Sequence, residues 1–412
     1  MSHLEANSQT KPSKQSYLRR LLSNYWFRTV LIIASGIFIA HKTEDTDAWL
    51  NTRYQVFRWL QFLSPRSADV QRTVMIMIGD EEYYRSDGEL QRRVPLRRDY
   101  LAKLVDAAAA ANAGVIALDF TFSSPNPKGN PVELPPYQSE TAQLIEAIRR
   151  AASAGKKVIL TRTIHQVSQE EGKETYETES DIYGSEVNQW ENVSTGYHVL
   201  PDDVRTLPLA VRSADGGLLE SFCLAIARAD NAASIKKLND LTAVRYASFI
   251  PADEFSRLSA DELLSGSPKN SILANRVAII SGAWHQFGFG RGPIVSAWNT
   301  PVGSLPGAYI HANYFESLFD KRFYRVWEDW PKYIAETILA LIVALAFGVK
   351  FRSRTKRALV IAAPYIAILL ITYISLLSFA WFFDPFIPVL SVSAHGVAEQ
   401  IMHWRMVAVK AI

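Results

Sequence analysis

Asp80, Asp119 and His311, with Arg97 and Arg98, are the side chains whose types and placement suit chemistry. Asp80 closes the apolar run RTVMIMIGD and Asp119 stands near the end of GVIALDF, so each carboxylate would sit at the C-terminal tip of a buried strand. Ligands of open α/β sheets collect at that rim. Arg97 and Arg98 open a helical stretch, and a helix N-terminus adds free N–H groups and partial positive charge. Two carboxylates, two guanidinium groups and an imidazole suit a small polar or anionic ligand. The competing expectation for each aspartate is a turn cap or a pairing with a nearby arginine. For His311, in the first turns of the helix within PGAYIHANYFESL, it is an imidazole hydrogen-bonded inside the fold. A metal set drawn from Asp80, Asp119 and His311 has no spacing motif behind it. There is no H-E-x-x-H, G-x-S-x-G or P-loop. Neither a cofactor nor a metal is expected, and no enzyme.

The elements that must hold these residues follow from periodicity. The unalternated runs at 72–80, 114–120, 157–161 and 276–282 suit strands buried on both faces of a parallel sheet. Helical spacing appears at 97–112, 139–154, 217–229 and 306–319. Pro251–Leu264 predicts one short helix, with Ser259 and Glu262 as a capping box. Alternation of strand and helix predicts an α/β domain with a mainly parallel sheet flanked by helices. The acid-rich stretch 166–192 reads as a solvated loop or hairpin insertion. HQFGFGRGP carries Gly288, Gly290 and Gly292 without the dinucleotide spacing and reads as a flexible surface loop.

Around this domain lie four apolar runs, at 25–41, 331–349, 358–380 and 386–404. A helix crossing ~30 Å of hydrocarbon needs about 17–25 mostly apolar residues. All four are expected to be transmembrane helices. Basic residues gather in the tail 1–24, the loop 350–357 and the end 405–412, which the positive-inside rule assigns to the cytoplasm. Residues 42–330 then form one extracytoplasmic domain. Trp327, Trp330 and Tyr333 suit an interfacial belt. The net charge of +3 gives no reason for a nucleic-acid partner, and Cys223, the single cysteine, excludes an internal disulfide. It lies on a small apolar helical face and is expected to be buried rather than reactive.

The segments VMIMIGDEEYY, VPLRRDYLAKLVDAAAAANAGVIALDFTF, NRVAIISGAWH and TPVGSLPGAYIHANYFESL, followed by the closing apolar runs, resemble the CHASE2 family of bacterial extracytoplasmic sensor domains. The resemblance covers most of 45–405. It implies a sensory input module in the cell (inner) membrane, multi-pass, with both termini cytoplasmic. Members usually carry a kinase, cyclase or other output domain after the last helix. The expectation here is a stand-alone accessory sensor, with the output domain not in cis. It would signal through its helices to a separate cytoplasmic output protein, as a homo- or hetero-oligomer. The alternative is a structural membrane subunit or effector of a larger complex, with an extracytoplasmic hydrolase behind it.

Overall fold

The computed structural model describes residues 46–62, 72–122, 135–198, 204–326 and 354–385, less a few positions within them, and isolated residues elsewhere. It divides into two units, 61–325 and the two flanking segments taken together.

The larger unit is built on a six-stranded parallel sheet. TVMIMI forms β1 (Thr73–Ile78), every residue of it buried. Around it stand β2 (Val115–Leu118), β3 (Lys157–Arg162), β6 (Val193–Tyr197), β11 (Ser256–Ser259) and β12 (Val277–Gly282), in the order β11-β1-β12-β2-β3-β6. Every pairing is parallel. Because side chains alternate across a strand, each strand feeds two cores. Val74, Ile76, Ile78, Ile116, Leu118, Val158, Leu160, Ala278 and Ile280 join one cluster with α3 (Arg98–Ala110) and α4 (Pro135–Ser153). Met75, Val115, Ala117, Ile159, Val277 and Ile279 are equally buried but outside that cluster. Their face is covered by α5 (Phe222–Ala229) and α7 (Gly307–Phe319), which pack on each other and on the strands.

The expected α/β class and its strands hold, with ends shifted by a residue or two. The acid-rich stretch opens as an antiparallel hairpin, β4 (Ile164–Glu170) and β5 (Lys173–Thr178). Two expectations need correction. The helix expected over 217–229 begins only at Phe222, because Ser221 caps it by accepting from Leu224 N at 3.4 Å, while Leu218–Glu220 pairs as a strand. The single helix expected over Pro251–Leu264 is instead a 3-10 turn, the edge strand β11 and the short helix Ala260–Leu264. Ser259 and Glu262 do form the capping box. The strand β6 had no sequence expectation behind it.

In the other unit, α1 (Asp47–Phe62) and α8 (Arg354–Phe379) are the described helices. The side chain of Phe57 meets Phe382 edge-on at 5.1 Å, and Arg53 Nε donates to Asp384 Oδ2 at 2.7 Å, both groups buried. α8 contains most of the third apolar run, though its side chains are described without a break only over 365–379. Among the described residues no helix is long and apolar enough to cross a membrane. The first, second and fourth runs, with Trp327, Trp330 and Tyr333, lie outside the described residues apart from isolated positions.

Candidate functional site

Register decides which side chains meet at the C-terminal rim. Leu118 stands opposite Ile280, so Asp119 and Ser281, one residue on, leave the sheet side by side. Both share the parity of Ala117 and Ile279 and so point toward α5 and α7. Tyr197 pairs with Arg162, which places His198, just past β6, on that same face. His311 reaches it from the second turn of α7. The ladder continues far enough to fix these positions: Asp119 N donates to Ile280 O at 3.0 Å and His198 N to Arg162 O at 2.9 Å.

The resulting cluster is tight. One ligand atom each from Asp119, His198 and His311 all lie within 4.8 Å of one another. His198 Nε2 stands 3.1 Å from Asp119 Oδ1, yet that oxygen has no aligned hydrogen-bond donor. The two groups are close enough to form an ion pair when His198 is protonated. Ser281 Oγ donates to Asp119 Oδ2 at 3.1 Å. The His198 and His311 rings lie 5.1 Å apart, and Phe222 meets His311 in a T-shaped contact at 5.3 Å.

Charge in the cluster is polarised. Burial would raise the Asp119 carboxyl, but His198 foremost, then His311 and the Ser281 hydroxyl, hold it below its ordinary value. Burial would lower His198, and the Asp119 charge outweighs it, leaving the imidazole raised. His311 is pushed down to about 4 by burial, with Asp119 opposing too weakly to restore it. His311 is thus neutral at pH 7 and only 1% exposed, and neither of its ring nitrogens has a hydrogen-bond partner. The expectation of a histidine hydrogen-bonded within the fold is overturned. A buried polar group left unpaired costs on the order of 1–3 kcal/mol, so this arrangement needs an explanation.

Asp80 and the two arginines take other partners. Asp80 opens the short helix Asp80–Tyr84 and accepts from His285 N at 2.7 Å and Gly290 N at 2.8 Å. His285 Nδ1 adds a contact at 2.8 Å. Asp80 thus gathers the 285–292 loop, where Gly288, Gly290 and Gly292 all have positive φ. The loop expected to be merely flexible is fastened at two backbone amides. Gly288 also lies under the Tyr84 ring, with an added Cβ meeting it at 3.4 Å. Arg97 forks onto Asp99, and the buried Arg98 reaches Thr141 Oγ1 and lies 5.7 Å from the Phe122 ring. Of the five residues singled out from sequence, the structure brings Asp119 and His311 together and leaves Asp80, Arg97 and Arg98 in separate structural pairings.

His198 and Ser281 were not anticipated. His198 follows β6, whose VSTGY is too short and polar to read as a buried strand. The usable signal was β-branched Val193 and Thr195 between Asn192, which has a positive φ, and Pro201. Gly196 matters for a spatial reason: a Cβ there would lie 2.6 Å from Phe222 Cα, so only glycine lets β6 and the start of α5 close on each other.

A parallel α/β sheet with helices on both faces and a polar cluster at its C-terminal rim is an architecture that hosts many unrelated activities, so the fold by itself names none of them. The CHASE2 domain matches residues 29–348, most of the chain, and the protein belongs to that family of sensor domains. Comparison with curated proteins and with solved structures found no match.

Proposed function

We propose that this protein is a membrane-anchored sensor or accessory subunit. Its α/β domain faces the extracytoplasmic side and receives a ligand, a partner or an envelope state. The transmembrane helices carry the change to a separate cytoplasmic output protein, within a homo- or hetero-oligomer. The observation that carries this reading is membership of the CHASE2 sensor family over 29–348.

The four-span arrangement has three supports. Basic flanks fall on one side when all four apolar runs cross. α8 covers most of the third run and exposes Ile366, Leu370, Ile374 and Leu377, spaced along one helix face as an apolar stripe suited to lipid. Arg53, after the first run, pairs with Asp384, between the third and fourth. The charge rule assigns both segments to the outer side.

The test is labelling in intact cells with a thiol reagent that cannot cross the bilayer, on a Cys223→Ala background. Ser180→Cys should react and Ser353→Cys should be protected. The opposite pattern would sink the arrangement. Gentle solubilisation followed by affinity capture should recover the chain with a cytoplasmic partner. A lone monomer at native expression would sink the accessory role.

A further inference from the structure

We infer that Asp119, His198 and His311 form a binding site for one divalent transition-metal ion of the zinc type. The strand registers deliver Asp119 and His198 to one face of the sheet at its C-terminal rim, and α7 supplies His311 to that same face. Their ligand atoms already lie within 4.8 Å of one another. Donors on a tetrahedral Zn²⁺ with ~2.0–2.1 Å bonds sit roughly 3.4 Å apart, so closure asks for side-chain adjustment rather than a new backbone.

The unsatisfied atoms point the same way. Neither ring nitrogen of the buried His311 has a hydrogen-bond partner, and Asp119 Oδ1 faces His198 Nε2 at 3.1 Å without a well-aligned donor. In a neutral imidazole one ring nitrogen carries the proton and the other a lone pair, so His311 offers one metal-binding nitrogen, and one ligand atom from each of the three residues falls within the same 4.8 Å. A metal ion uses such atoms, whereas a packed apolar core would not hold them. Ser281 donates to the other carboxylate oxygen and orients it, the support a metal-bound carboxylate commonly receives.

The donor set selects the ion. Two imidazoles with one carboxylate favour Zn²⁺, Co²⁺, Ni²⁺ or Cu²⁺ over Mg²⁺ and Ca²⁺, which require oxygen-rich shells. Three protein ligands leave a fourth position open, and His198, with 33% of its side chain exposed, lies on the solvent side of the cluster. A water molecule or an incoming anionic or nitrogenous ligand fits that position. The inference goes beyond the sensory reading and stands without it, since the metal would bind whether or not it is the signal.

The experiment uses the full chain in detergent, stripped with a chelator and titrated with Co²⁺ and Zn²⁺. One ion per chain is expected, with Co²⁺ visible absorption of four- or five-coordinate intensity displaced by Zn²⁺ and not by Mg²⁺ or Ca²⁺. Asp119→Asn, His198→Gln and His311→Phe should each weaken binding by at least about 100-fold, and Ser281→Ala by about 10-fold. His285→Gln should bind as the parent does. Independently of any variant's folding, pulsed EPR of the Cu²⁺-loaded parent should show coupling to two imidazole nitrogens. Absence of saturable binding, retention of full affinity in a folded His311→Phe protein, loss of binding in His285→Gln, or displacement by Mg²⁺ would each overturn the site.

Discussion

Arg53 and Asp384 are 331 positions apart in sequence and form a buried ion pair, Nε to Oδ2 at 2.7 Å. Phe57, one turn along α1 from Arg53, meets Phe382 edge-on, and Phe382 and Phe383 are essentially inaccessible. A salt bridge sealed by aromatic rings is weakly screened by solvent. Removing one partner leaves an uncompensated buried charge, a loss of about 3 kcal/mol or more. Asp384→Ala should therefore lower the unfolding midpoint of the detergent-solubilised chain. Arg53→Ala should do the same, and the double replacement should cost less than the two single effects added together. A strictly additive double mutant would show that the pair does not couple the segments. The experiment also bears on topology, because the two residues can pair only if their segments share one side of the bilayer.

The close approach at Gly196 makes a second prediction. A Cβ there would meet Phe222 Cα at 2.6 Å and Phe222 N at 2.8 Å, and backbone cannot move aside as a flexible side chain can. Gly196→Ala should destabilise the larger unit by about 1–3 kcal/mol through overpacking. Because Phe222 is the edge-on neighbour of His311 and His198 lies two residues beyond Gly196, it should also disturb the Asp119 cluster. Gly155→Ala gives the comparison: Gly155 has a positive φ but open space around it, so its cost is backbone strain without a clash. Denaturant titration of both variants, with histidine NMR shifts as the second readout, checks this. A silent Gly196→Ala would mean that the strand and helix are not so tightly joined.

Much of this fold is legible in sequence because its strands are buried on both faces and so read as unbroken apolar runs. TVMIMI and VAIISG announce themselves. The edge strands do not. β6 and β11 contain Ser, Thr, Gly and Arg, since an edge has one neighbour and partial solvent contact, and their pattern is β6's burial of only some positions rather than a continuous run. The candidate site was half legible for the same reason. Asp119 follows a central strand and was found, as was His311. His198 follows the edge strand β6 and was missed. Asp80 and Arg98 sit at equally suggestive places, but which rim residues meet depends on strand order, and a sequence does not state that β12 inserts between β1 and β2.

The fastening of the 285–292 loop should depend on acid. Burial acts to raise the Asp80 carboxyl, but the His285 and Gly290 amides and the His285 ring together depress it below the ordinary 3.8. A depressed folded pKa means that the carboxylate stabilises the docked loop at any pH above the unfolded value. That contribution is lost as pH falls through the lower, folded value. Trp284 adjoins the loop and stacks on Tyr83 at 4.2 Å, which makes its fluorescence a local reporter. Acid titration should show a Trp284-dependent transition below pH 3.8, and Asp80→Asn should already have an altered baseline at neutral pH with the acid step absent. A transition centred above 3.8, or one unchanged in Asp80→Asn, would assign the loop's hold to other groups.

Cys223 should be chemically silent in the folded protein. It is fully buried on α5 and the burial pushes its thiol up to about 12, with the Ser221 hydroxyl at 3.2 Å only partly offsetting this. Thiolate, not thiol, is the reacting species, so at pH 8 the reactive fraction is on the order of one part in ten thousand by the distance between pH and pKa. Maleimide should leave the native chain unlabelled over hours and modify one site per chain once the larger unit is unfolded in denaturant. Cys223→Ala should keep the fold with a modest loss, since it removes one buried sulfur and opens only a small space. Stoichiometric labelling under native conditions would mean that α5 opens readily from the sheet. Since α5 also carries Phe222 against His311, such opening would expose the Asp119 cluster to solvent along with the thiol.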